Sequence, residues 1–162
     1  MQQRQLRSLV LSRLDYCNSI LSGSPKCLIK KLQRVPNTAA RITLRMTRTE
    51  HTTLLLRMLH WLLLPSRTAY KIVSLCHTAL TTAYPKYLSE LLNVYTPARP
   101  PRSSLDSNIL NNAAARTKSY GQQAFAYQGP INWNRVPDSI RTVEEKDTFK
   151  RHLKTALFQQ NA

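Results

Sequence analysis

The chain has 162 residues, 42% of them apolar, which is enough to build a core and too apolar for a disordered polymer. Twenty-four Lys and Arg against eight Asp and Glu give a net charge of +16, which repels itself in a compact state unless a polyanion offsets it. Three glycines argue against a sandwich or barrel rich in tight turns, while abundant Leu, Ala, Lys and Arg favour helix.

From the start, MQQRQLRS has no apolar leader core. Residues 4–21 repeat Leu6, Leu9, Val10, Leu14, Cys17, Ile20 and Leu21 at helical spacing, and Gly23 is a plausible stop. Ser24 and Pro25 then read as an N-cap and first helical position.

Residues 25–48 carry the strongest pattern. On a wheel of about 100° per residue, Leu28, Leu32, Val35, Ala39, Ile42 and Met46 share one continuous apolar face. Lys30, Arg34, Arg41, Arg45 and Arg48 occupy a sector of about 60° on the other side. No acid lies between Asp15 and Glu50. Five cations along roughly 27 Å of helix match the length scale of a phosphate backbone. Pro36 removes a backbone donor and should kink the helix or split it in two.

A short helix is expected at 50–60 with Thr49 as cap, then an apolar turn at 61–65. Residues 66–82 read as a central helix, apolar around more than half its circumference. Pro85 opens a short helix reaching Leu92. YTPARPPRSS at 95–104 should be extended and exposed, and 108–118 a short strand or irregular. Residues 121–127 read as helix and INWNRVP at 131–137 as an irregular aromatic turn. In the last helix, Thr142 and Glu145 fit a capping box, and Phe149, Leu153, Ala156 and Leu157 form the buried stripe.

Catalytic patterns are missing from the sequence. Two-metal chemistry needs converging carboxylates, yet no two aspartates adjoin, and Glu144 with Glu145 suits a helix N-terminus. His51, His60, His77, His152 and the three cysteines are too scattered for a zinc site. Cys76 and His77 are helix neighbours that point apart, so they cannot pair as nucleophile and base. No glycine-rich phosphate loop occurs, and the sequence implies no cofactor. Without a CxxC pair or an apolar leader, the thiols read as reduced and intracellular. The apolar runs 54–56 and 61–64 are too short to span a bilayer, so no membrane partner is expected. Binding remains: Lys and Arg for phosphates, with Arg99, Arg102 and Lys118 joining the helical stripe. Tyr84, Tyr87, Tyr95, Tyr120, Tyr127 and Trp133 could offer stacking faces, although most such aromatics belong to cores.

Several strings together carry a family resemblance. They are SRLDYCNSIL at 12–21, KKLQRVPNTAAR at 30–41, LHWL at 59–62, YKI at 70–72, YLSELL at 87–92 and YTPAR at 95–99. RTKSYG at 116–121, WNRVPDSIR at 133–141 and FKRHLKTALF at 149–158 complete the series. In this order they resemble the thumb and post-polymerase region of non-LTR (LINE-type) retrotransposon reverse transcriptases. Pro36 stands where that family usually has glutamine, and Leu63 where it has proline. The resemblance implies that the palm, its catalytic aspartates and the endonuclease lie upstream, and that no matching position here is catalytic. It also implies a nuclear setting and an upstream polymerase core as partner.

The expected architecture is therefore mainly α with little or no sheet. A helical thumb-like bundle over 1–96 would be followed by a Pro/Arg-rich linker at 97–110 and a smaller helical unit at 111–162. The expected activity is non-catalytic binding of RNA or DNA. The alternatives are a helical interaction or scaffold protein, or an inert retrotransposon-derived remnant.

Overall fold

Helix formation follows the distribution of Leu, Ala, Lys and Arg, and the chain is mainly helical. In the computed structural model the described residues are 7–96, 108–118 and 120–160. The helices are α1 (Ser12–Asp15), α2 (Lys26–Leu44), α3 (Thr52–Met58), α4 (Leu64–Thr82), α5 (Lys86–Ser89), α6 (Phe125–Asn134), α7 (Asp138–Arg141) and α8 (Lys146–Gln159). Among the described residues the only β pairing is an isolated antiparallel bridge between Val94 and Leu110.

The chain divides into two compact units, Met1–Thr68 and Ala69–Ala162. The division falls inside α4, not at the Pro/Arg-rich segment. Of the expected 97–110 linker, residues 97–107 lie outside the described residues. Its far end is no linker: Leu110 is 1% exposed.

In the first unit, the single amphipathic helix expected over 4–21 is replaced by short pieces. A π-helical turn at Arg7–Leu11 runs into α1, and a 3-10 turn at Asn18–Leu21 follows. The break is at Cys17, held at φ 53°. Gly23 adopts φ 75°, the left-handed geometry expected of a stop. Pro25, not Ser24, is the N-cap residue of α2. The helix α3 begins after His51 rather than Thr49 and lies against α2. Leu11, Ala39, Ala40, Leu55, Leu56 and Trp61 form this unit's core, flanked by Val10, Leu14, Leu44, Leu59 and Leu63.

For α2 the sequence left a kink or a split open at Pro36. Pro36 does not split it: one assigned helix of 19 residues runs through the proline. The ring is fully buried, so apolar burial offsets the missing backbone bond. The apolar face on the wheel is only partly buried: Ala39 lies inside and Leu32 is half-buried. Pro36, Ala39 and Ala40 are buried, whereas Leu28, Val35 and Ile42 face solvent. Gln33, on the buried side, accepts a hydrogen bond from the Leu64 backbone N–H at 2.7 Å. That N–H belongs to the first turn of α4, where no intrahelical acceptor exists. The anchoring of α4 thus selects a small, partly polar face of α2 over the larger apolar one.

In the second unit, Ile72, Val73, Cys76 and Ala79 of α4 are buried with Trp133 of α6 and Phe149, Leu153 and Leu157 of α8. The His77 ring stacks on Phe149 with centroids 3.9 Å apart, and His77 Nε2 lies 2.8 Å from the Val143 carbonyl oxygen. The segment expected as an irregular turn at 131–137 is helical as far as Asn134, because Trp133 and Pro130 are both buried on α6. Trp133 Nε1 donates to the Asn108 carbonyl at 2.7 Å. The Asn134 amide both accepts from and donates to the Leu110 backbone, at 3.0 and 2.9 Å. Residues 108–111 are thereby pinned without a sheet. The expected capping box is absent: Thr142 ends α7, and its hydroxyl donates to the Asp138 carbonyl. Glu145 is the N-cap residue of α8 and accepts from the Thr148 hydroxyl.

Candidate nucleic-acid interface

A phosphate-binding surface needs exposed cations held at fixed spacing without competing acids. On α2, Lys30 and Arg34 are exposed and one turn apart. Arg41 and Arg45 repeat that spacing at the helix's far end, but Arg41 is half-buried. Its Nη2 lies 3.5 Å from the Glu50 carbonyl oxygen, and its Nε is enclosed without a partner. Arg41 is therefore partly committed to the turn after α2. The helix ends at Leu44, so the wheel places neither Arg45 nor Arg48 on the stripe: Arg45 is the cap residue and Arg48 lies beyond it, both exposed.

The helix end shapes this surface. Arg45 closes α2 in the left-handed conformation, at φ 54°. Its N–H is bonded to the Ile42 carbonyl at 3.3 Å, and the Met46 N–H to the Arg41 carbonyl at 3.0 Å. This is the Schellman pattern, which usually employs glycine at the left-handed position. An arginine there strains the backbone by roughly 1 kcal/mol but places a cation beside the negative end of the helix dipole.

The surface thus reduces to Lys30 and Arg34 on α2 and Arg45 at its C-terminal cap, with Arg41 partly engaged and Arg48 just beyond. Lys31, which the wheel left outside the stripe, is also exposed. Lys118 is exposed in the second unit. Arg99 and Arg102 lie outside the described residues. One further arginine is removed from contention: Arg67 forms a two-point ion pair with Asp15 that nothing in the local sequence signals.

Among the aromatics, Trp133 is 1% exposed and cannot present a stacking face. Tyr127 is half-buried. Tyr84, Tyr87, Tyr95 and Tyr120 are open to solvent, contrary to the expectation that most would be core. Among the described residues no three His, Cys, Asp or Glu side chains converge as metal ligands. Cys76 is buried between helices, and burial pushes its thiol up to about 12, so it is no nucleophile at neutral pH. No described helix is long and apolar enough to cross a membrane. No protein family, curated protein or solved structure matches the chain.

Proposed function

We propose that the chain is a non-catalytic, sequence-tolerant nucleic-acid-binding segment that grips phosphates through one edge of α2. The observation carrying this reading is the acid-free helix itself, with Lys30 and Arg34 exposed along its solvent side and Arg45 exposed at its C-terminal cap. At 1.5 Å rise per residue these cations span roughly 22 Å, long enough to follow several phosphates. The excess of sixteen positive charges supplies a long-range attraction of the same sign. Alongside it stands the ordered series of strings resembling the region after the polymerase core of LINE-type reverse transcriptases. On that reading the segment works beside an upstream polymerase, in the nucleus, on template RNA or target DNA.

The test is salt-dependent binding of a fluorescent oligonucleotide. For every phosphate that a variant no longer neutralises, the log–log slope should flatten by about 0.9 on duplex DNA or about 0.7 on a single strand. Lys30→Ala, Arg34→Ala and Arg45→Ala together are expected to flatten it by two to three such steps. An unchanged slope in the triple variant, with the fold intact by circular dichroism, sinks the assignment.

A further inference from the structure

The apolar face of α2 is largely open. Leu28, Val35, Ile42 and Met46 are 48, 45, 53 and 42% exposed. Met46 lies just past the helix end, while within α2 Leu28, half-buried Leu32, Val35, buried Ala39 and Ile42 alternate in four- and three-residue steps, the a/d pattern of a helix–helix seam. The exposed members form a narrow stripe, which fits one facing helix better than the broad apolar face of a membrane-surface helix. A phosphate backbone has nothing apolar to cover Val35 and Ile42, so nucleic acid on the cationic edge leaves this stripe wet.

Charge selects the occupant. One border of the seam is the core side of α2. The other carries Lys31, with Arg45 at the helix's C-terminal cap, both exposed, and no acid occurs on α2 at all. A second copy laid along the seam would set Lys31 and Arg45 against the same two cations, in a chain already carrying +16. We propose that the Leu28–Val35–Ile42 seam docks an amphipathic helix of a partner protein, with acidic residues flanking its apolar stripe. This surface shares Arg45 with the phosphate-binding edge but not Lys30 or Arg34, and it stands whether or not nucleic acid binds there.

The probe is a fluorescein-labelled peptide of about three heptads, with Leu and Ile at the a and d positions and Glu at the flanking e and g positions. Binding to the full chain is read by anisotropy. The expected result is saturable binding to the wild type, weakened at least about tenfold by Val35→Ser with Ile42→Ser. Both positions are solvent-facing, so the fold should survive, as a thermal melt checks. Lys31→Glu with Arg45→Glu should transfer preference to a Lys-flanked peptide, a gain that unfolding could not produce. Equal binding of a Glu-flanked peptide with serine at its apolar positions would overturn the seam. Equal binding of the Lys-flanked peptide by the wild type would overturn the acidic partner. Concentration-dependent dimerisation, or binding to anionic phosphatidylserine vesicles, would overturn it too if abolished in the Val35→Ser, Ile42→Ser variant. Oligonucleotide binding in the same variants separates the two surfaces: Lys30→Ala with Arg34→Ala should spare the peptide.

Discussion

The Asp15 carboxylate binds Arg67 at two points, with Arg67 Nε donating to Asp15 Oδ1 at 2.8 Å and Nη2 to Oδ2. The partners are 52 residues apart in sequence, and the pair ties α1 to the first turn of α4 within the first unit. Asp15 is also the last acid before the acid-free stretch. Its side chain is 45% exposed and that of Arg67 14%, so water screens the pair and its worth is modest. A double-mutant cycle of Asp15→Ala and Arg67→Ala, read by urea denaturation, is expected to show coupling of about 1 kcal/mol. Asp15→Ala should lower stability without weakening oligonucleotide binding, because it removes an anion and frees a cation. Weaker binding in that variant would mean that the α1 end of the unit contributes a contact of its own.

Arg45 offers a cleaner separation of fold from function. Its left-handed φ of 54° suits glycine, so Arg45→Gly should raise stability by about 1 kcal/mol relative to Arg45→Ala. Both variants remove the same cation, and both should flatten the oligonucleotide salt slope by about one phosphate's worth. Equal stabilities for the two would show that the turn relaxes away from the left-handed geometry when the side chain changes.

The largely open apolar face of α2 shows what the sequence conceals. Helical periodicity located the helix and its acid-free character, because both depend on nearest neighbours in the chain. It could not say which face would be buried. That was decided by Gln33 meeting the Leu64 N–H, and by Pro36, Ala39 and Ala40 forming a surface small enough for close approach of neighbouring chain. The unbroken helix at Pro36 has the same origin: propensity counts the missing hydrogen bond, but not the burial of the ring. Among the site residues, Lys30, Arg34 and Arg45 kept their expected exposure, while Arg41 turned partly toward Glu50. The helical Trp133 and Asn134 were missed because their partners, Asn108 and Leu110, are more than twenty residues upstream.

The three thiols should behave differently. Cys17 and Cys27 are exposed, whereas Cys76 is buried with its thiol pushed up to about 12. Iodoacetamide at pH 8 is expected to label two cysteines in the native chain and the third only at the rate of unfolding. The same shift sets an alkaline limit. The unfolded thiol ionises near 9.0 and the folded one near 12, so between these values ionisation favours the unfolded chain. Stability should then fall with rising pH, by up to about 1.4 kcal/mol per unit from this group. Tyr70 is also raised, by burial and then by Asp147, and adds a loss in the same direction above its ordinary value of 10.0. Between pH 9 and 10 the slope should therefore be largely that of Cys76. Cys76→Ala should abolish it there, and persistence of the slope would assign it elsewhere.

Gly129 in α6 tests how closely the second unit is packed. Helix propensity alone favours alanine there by about 1 kcal/mol. Yet a β-carbon would stand 3.2 Å from Cys76 Sγ and 3.3 Å from a Leu92 methyl, with Phe125 at 3.6 Å. Cys76 and Leu92 are themselves buried, and neither can swing into solvent. Overpacking of this kind costs about 1–3 kcal/mol, which exceeds the propensity gain. Gly129→Ala is thus expected to lower the urea midpoint despite improving the helix. Cys76→Ala removes the nearest obstructing atom, so in that background Gly129→Ala should cost less, leaving the double variant more stable than the summed single effects. A raised midpoint for Gly129→Ala alone would show that α4 and α6 can separate by a few tenths of an ångström at little cost. The close approach at Gly129 would then be a consequence of the packing rather than a condition for it.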